Sequence, residues 1–350
     1  MKQVSLYLSR LYLGRLAAVA FAVLTLVSLL DSLGNSELLP ADAGFTDRLR
    51  FVVLRLPLIF DSTFAIIIFL SVLVTYLSLI RRNEVVALFG TGMSVFGQLR
   101  SLGPCLFAVG ALSALIVTLV NPPAARSLTD WLGPEALMEQ AREERVIWVS
   151  EPDQLVRLGD VTENQIENLT FFVLSPAGYV ESVSRAESAT YETGAWTLSG
   201  TEVVQSLDGE AAAPRSWTTR QTPDSLFKLQ TNPRFLSVPD LLQLYDLRGS
   251  GSRPSSAYLV WLIDRLSMPI VALGLLLLAV PLMQRAGRRE TGEISAVIAL
   301  AIGFVYLVAD GIFTTLAESG AISGWAGQLV PLTALIFVGL WLTLRTEEAS

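Results

Sequence analysis

Four carboxylates lie inside or beside long apolar runs of the chain, namely Asp31, Asp61, Asp264 and Asp310. An ionisable group at membrane depth is costly, and it is read as functional by default. Proton relay is the chemistry such acids would perform, and Asp310, deepest in its run, would be the relay residue of a proton-coupled secondary transporter. The four are scattered in sequence with no buried basic or histidine partner, which makes a poor relay. An interhelical hydrogen bond to a Ser, Thr or Tyr is the plainer role for Asp310. Composition excludes other chemistries. The chain has no histidine, which removes Ser-His-Asp and Cys-His catalysis and the usual zinc sites. Its lone Cys105 lies in an apolar run and packs there. No Gly-Lys pair occurs, so a Walker phosphate loop cannot be built, and any uphill work would need a partner that hydrolyses the nucleotide.

Two further groups of residues could meet a ligand or a partner. Arg48, Arg50 and Arg55 precede the second apolar run and Arg126 follows the third. Arginine pairs with phosphate in bidentate geometry, so these four could touch a phosphorylated lipid headgroup; interfacial anchoring explains them equally well. Between the runs Ser62 to Ile80 and Leu102 to Val120 lies a short amphipathic stretch, residues 82–96. Val85, Leu88 and Phe89, then Met93 and Phe96, recur at helical spacing, while Glu84 and Ala87 fall on the other side. It reads as a surface helix broken by Gly90-Thr91-Gly92.

The elements that must position these residues are mostly membrane helices. The chain has 350 residues, of which 52% are hydrophobic and 16% charged, and its mean hydropathy of +0.52 is too apolar for a soluble domain of this size. Leu16 to Leu30, with its flanks, reaches the roughly 20 residues a span needs. It is read as a span and not a signal peptide, because no Ala-x-Ala-like site closes it. Span three is expected to stop at Asn121-Pro122-Pro123, where no amide donors are supplied. Leu266 to Gln284 is span four, marked by Pro269 and Pro281. Ile294 to Leu316 is span five, interrupted by Asp310-Gly311, and Gly324 to Leu344 is span six, broken by Pro331.

From Val146 to about Leu229 the pattern changes to period-two alternation. Runs such as Val146 to Val149, Gln154 to Leu158, Leu169 to Leu174 and Ala195 to Ser199 are punctuated by turns at Ser175-Pro176-Ala177-Gly178, Glu192-Thr193-Gly194 and Leu207-Asp208-Gly209. The fold class is therefore a membrane protein with six transmembrane α-helices, three before and three after an inserted all-β domain. The divisions are 1–123, 124–252 and 253–350, with Gly249-Ser250-Gly251-Ser252 as a flexible link. Arg81, Arg82 and Arg100, Arg285, Arg288 and Arg289, and Arg345 mark the cytoplasmic side together with Lys2, Arg10 and Arg15. Both termini would then be cytoplasmic, the β-domain outside, and the acids that make the net charge −7 mostly outside with it.

The segment Arg82-Asn83-Glu84-Val85-Val86, its Gly90-x-Gly92 end, and the outline of three helices, a β-insert and three helices resemble the LptF/LptG family, permease subunits of the lipopolysaccharide exporter. The Arg-Leu-Pro-Leu segment at Arg55 and the Leu-Leu-Asp-Ser end of span one are more similar to the LptG branch. The resemblance implies a jellyroll-like periplasmic domain whose strand edges continue through neighbouring subunits. It implies a coupling helix at 82–96 whose Glu84 faces a basic group of a cytoplasmic ATPase, with Arg82, Val85, Leu88, Phe89, Gly90 and Gly92 around it. It implies a non-catalytic permease of the bacterial inner membrane with no cofactor of its own, ATP and Mg being bound by the ATPase.

The implied partners are a second, LptF-like permease, an LptB-like ATPase dimer, LptC-like and LptA-like adaptor and bridge proteins, and lipopolysaccharide, with no nucleic acid. Arg48, Arg50, Arg55 and Arg126 would be the headgroup contacts. The family often places a lysine near the outer end of span one, where this chain has Ser28 and Asp31, so its headgroup chemistry should differ. A hydrophobic cavity is expected between spans one, two and five, with Gly303 and Ala309 allowing close approach. A lipoprotein-handling or cell-division ABC permease is the other expectation of this class, although such proteins usually have four spans.

Overall fold

A computed structural model of the chain describes residues 2–40, 43–133, 147–151, 153–159, 161, 165–175, 178–192, 194–206, 214–246, 253–287 and 292–348. Six helices among them are long and apolar enough to cross a membrane. They are α1 (Lys2–Gly34), α2 (Phe45–Arg81), α4 (Val95–Leu132), α7 (Ser255–Gly287), α8 (Gly292–Glu318) and α9 (Gly324–Glu348). A short helix, α3 (Glu84–Gly90), links α2 to α4, and two others, α5 (Pro223–Gln230) and α6 (Val238–Asp246), lead from the β-domain back to α7. The Gly249-Ser250-Gly251-Ser252 link, Arg288, Arg289 and the Leu207-Asp208-Gly209 turn lie outside the described residues.

Prolines do not end these helices as the sequence reading expects. α4 runs straight through Pro122 and Pro123, α8 is unbroken at Asp310-Gly311, and α9 is unbroken at Pro331. Each proline removes one amide donor, but leaving the helix would strip several backbone groups of partners in an apolar setting. Packing against neighbours then holds the proline in place. Pro122 and Pro331 are both buried.

α7 is the axis of the bundle. It packs against α2, α4, α8 and α9, and 72% of its apolar window is buried, against 6% for α1 and 17% for α8. α1 and α8 thus turn their apolar faces outward, toward lipid or another subunit. Small residues set the closest approaches. A Cβ on Gly110 of α4 would lie 2.6 Å from the Cα of Pro269 on α7, and one on Gly303 of α8 would lie 2.1 Å from the Phe69 ring of α2, as expected of Gly303.

The described strands form one antiparallel sheet. They are β1 (Ile147–Ser150), β2 (Gln154–Leu158), β3 (Gln165–Leu174), β4 (Val180–Glu192), β5 (Ala195–Ser199), β6 (Glu202–Ser206) and β7 (Ser216–Trp217), ordered β1-β2-β3-β4-β5-β7 with β6 also on β4. β5 and β6 share one edge of the long β4. Gly200, at φ 63°, makes the break between them, a conformation that costs glycine little. β7 sets Trp217 directly opposite Trp196, and both rings are buried in a core that continues into Tyr258, Leu259 and Leu262 of α7. Alternation was expected to last to about Leu229, but residues 223–230 are helical. Thr222 caps the helix by accepting from the Ser225 amide at 3.2 Å, and Pro223 starts it.

Candidate functional site

Two places bring together residues that could act on a partner or a ligand. The first is α3. Arg82 ends α2, Asn83 turns the chain in the left-handed region at φ 57°, and Glu84 opens the new helix. Val85 is buried, and Leu88 and Phe89 pack partly buried on the bundle, while Val86, Ala87, Gly90 and Gly92 face outward. The expected apolar stripe is present, but on a shorter helix than residues 82–96. After Gly90 the chain turns through Gly92 at φ 79°, and Ser94 then caps α4 by accepting from the Gly97 amide at 3.2 Å. Phe96 therefore belongs to α4 and is exposed.

Glu84 does not point freely outward. The Tyr7 hydroxyl of α1 donates to it at 2.6 Å and Arg82 stands at 4.0 Å, with the Glu84 side chain 29% exposed. Tyr7 lies 77 residues away in sequence, and no motif ties it to Glu84.

The second place is a cavity of about 710 Å³ where α1, α2, α7, α8 and α9 meet the turn at Pro233–Phe235. Arg55 pairs with Asp31 through two contacts, of 2.6 and 2.7 Å, and lies 5.3 Å from the Phe51 ring. Arg234 binds Asp61 at 3.0 Å and stacks 4.8 Å over Trp261. Trp261 in turn donates to Glu318 at 2.6 Å, and Gln328 donates to Asp264 at 3.1 Å. Asp310 and Tyr306 of α8 close the wall. Arg265 is buried behind Asp264 and donates to the carbonyls of Leu236 and Arg234, which fixes the turn that carries Arg234.

Several expectations change on this geometry. The four acids are not scattered: Asp31, Asp61, Asp264 and Asp310 all line one cavity, and two of them have arginine partners. The cavity is not the hydrophobic one expected between spans one, two and five. α7 supplies Trp261 and Asp264, both before the start expected for span four, and the lining is rich in charge. The four arginines do not converge. Arg55 is inside, Arg50 stacks 4.5 Å over the Trp131 ring of α4, Arg126 approaches Asp240 at 3.8 Å, and Arg48 is exposed. Arg234 was missed because it sits in a turn far from any span in sequence.

Arg126 leads to a charged junction between α4 and the helices below the sheet. Lys228, 8% exposed, binds Asp240 at 2.7 Å and also Asp224. Burial opposes its charge, but hydrogen bonds to Asp224 and Asp240 outweigh that and raise the ammonium above the ordinary lysine range. Burial likewise opposes the Asp240 carboxylate. Hydrogen bonds from Lys228 and Ser237 prevail and hold it below the usual carboxylate range.

A lowered acid stabilises the fold above its unfolded value of about 3.9 and loses that contribution as pH falls; a raised lysine stabilises below about 10.4 and loses it as pH rises. Amide protection in α5 and α6, taken relative to the intrinsic exchange rate at each pH, should therefore be greatest between these limits and fall on acidification below about pH 4. Asp240→Asn should flatten the acid limb, and an unchanged acid limb would refute the junction's role.

The signature described as "Lipopolysaccharide export system permease LptF/LptG" matches residues 6–345. The "Lipopolysaccharide export system permease protein LptG" of Escherichia coli strain K12, and that of Escherichia coli O6:H1, are each 22% identical to this chain over 207 residues. The matched stretch covers 57% of this chain and 58% of each relative. The match across nearly the whole length, together with six apolar helices split by an antiparallel β-domain, shows that the chain belongs to the LptF/LptG family of lipopolysaccharide export permeases.

Proposed function

We propose that this chain is one permease half of an ABC transporter that extracts lipopolysaccharide from the outer leaflet of the bacterial inner membrane and hands it to a periplasmic β-domain bridge. Both termini and α3 face the cytoplasm, and the β-domain, jellyroll-like in the family, faces the periplasm. The chain catalyses no reaction. ATP and Mg are bound by a separate ATPase dimer that grips α3, and a second, LptF-like permease completes the lipid path. LptC-like and LptA-like proteins receive the lipid.

One observation carries this reading: a short helix whose apolar side is seated on the bundle and whose other side faces outward, placed at the far end of α2 and α4 from the polar cavity and the β-domain. Force applied there has a route to the cavity, since α2 carries both α3's attachment and the Asp61 wall. The energy must enter as unequal partner affinity for two helix arrangements, because equal binding of both would shift nothing. The convergence of Asp61, Asp264 and Asp310 favours a second reading, a proton-coupled secondary transporter using Asp310.

Reconstitution separates the two. The complex with its ATPase should release glycolipid to an acceptor β-protein only when ATP is hydrolysed. Transport by the permease chains alone, driven by a proton gradient and lost in Asp310→Asn, would replace the first reading with the second.

A further inference from the structure

Charge in the cavity is unbalanced. Five carboxylates line it, on Asp31, Asp61, Asp264, Asp310 and Glu318, against two guanidiniums, those of Arg55 and Arg234. Both guanidiniums are committed to carboxylates, and Arg265 behind the wall is spent on backbone carbonyls. Asp264, Asp310 and Glu318 form no ion pair among the described residues. On the Asp264–Asp310 side of the cavity, two buried acceptors are left without hydrogen-bond partners. Gln328 is 1% exposed, and its Oε1 has no hydrogen-bond partner while its Nε2 is held by Asp264; the buried Oδ1 of Asp310 has none either. A buried acceptor without a partner is costly, so a ligand that donates is favoured here.

A phosphate brings only acceptors and negative charge, which this wall repels. A metal ion does not fit, since no three Asp, Glu, His or Cys side chains among the described residues come close enough to share one. A primary ammonium fits on each count, with three donors, positive charge, and the aromatic ring of Tyr306 in the lining.

We propose that this cavity binds a primary ammonium group, so that the permease favours a glycolipid whose headgroup carries an amine. The proposal rests on the exporter reading for the lipid part. It assigns headgroup phosphates to contacts outside the cavity, where Arg48 and Arg50 are exposed.

The test uses the full chain with its partner subunits in lipid nanodiscs. The probes are lipid A bearing phosphoethanolamine and the same lipid after N-acetylation, which removes the positive charge and two of the three donors and adds an acetyl group. Wild type should bind the free-amine lipid at least tenfold more tightly. Asp310→Asn and, separately, Gln328→Leu should each erase that preference by bringing the free-amine lipid down to the acetylated lipid's affinity, and Asp310→Glu should keep it. Competition by free phosphoethanolamine would identify a soluble amine as the ligand, and its failure to compete would identify the lipid headgroup. Equal binding of both lipids, or a preference that survives both variants, overturns the ammonium site and leaves the exporter reading standing. Binding of neither lipid and no competition by the free amine overturns both.

Discussion

Co-expressed with its ATPase, the Glu84→Arg permease is expected to purify without it, while Tyr7→Phe retains it. Glu84 is part-exposed at the start of α3, beside Arg82 at 4.0 Å. Reversal places two cations side by side where the exporter reading puts a basic group of the partner. Like charges juxtaposed at an interface cost several kcal/mol, which converts to a loss of association of about a hundredfold or more. The Tyr7 control is needed because Glu84 has two candidate roles. Its 2.6 Å bond from Tyr7 ties α3 to α1, and a purely structural Glu84 would make Tyr7→Phe and Glu84→Arg fail together. Retention of the ATPase by Glu84→Arg would remove α3 from the coupling interface.

The other large effect belongs to the Asp61–Arg234 pair. The Asp61 side chain is 3% exposed and Arg234 26%, at 3.0 Å. Arg234→Ala strands a desolvated carboxylate, a change that typically destabilises by about 3–5 kcal/mol. It also removes the guanidinium stacked on Trp261. Thermal unfolding in detergent should fall by several degrees, and the double variant Asp61→Asn/Arg234→Ala should recover most of the loss, because the charge without a partner is gone. No recovery in the double variant would mean that Arg234 acts through its stacking and not through its charge.

How much of this was legible beforehand differs by element, for physical reasons. The six spans and the strands Gln154–Leu158 and Ala195–Ser199 follow from the length of apolar runs and from period-two alternation, both local signals. The inward stripe of Val85, Leu88 and Phe89 was local too. The prolines misled because their effect in water, where a broken helix can be hydrated, does not carry over to a bundle in an apolar medium. β4 escaped notice because its alternation is written in Ser, Ala and Arg, small and polar residues with little hydropathy contrast. The cavity was the least legible part. Asp61 and Arg234 are 173 residues apart and meet only because the turn at Pro233–Phe235 is pinned by Arg265. No spacing rule reports such a meeting.

The unbroken course of α4 through its paired prolines has a mechanical corollary. At about 1.5 Å per residue, its 38 residues make a rod of roughly 57 Å, well beyond the ~30 Å hydrocarbon thickness. One end begins a few residues past α3, and the other carries Arg126 to the Lys228–Asp240 junction. A flexible connection would absorb a small stroke as slack; a continuous helix has far less slack to take up. On the exporter reading, the β-domain therefore moves in step with nucleotide closure on the opposite face of the membrane, and the two events share a single clock.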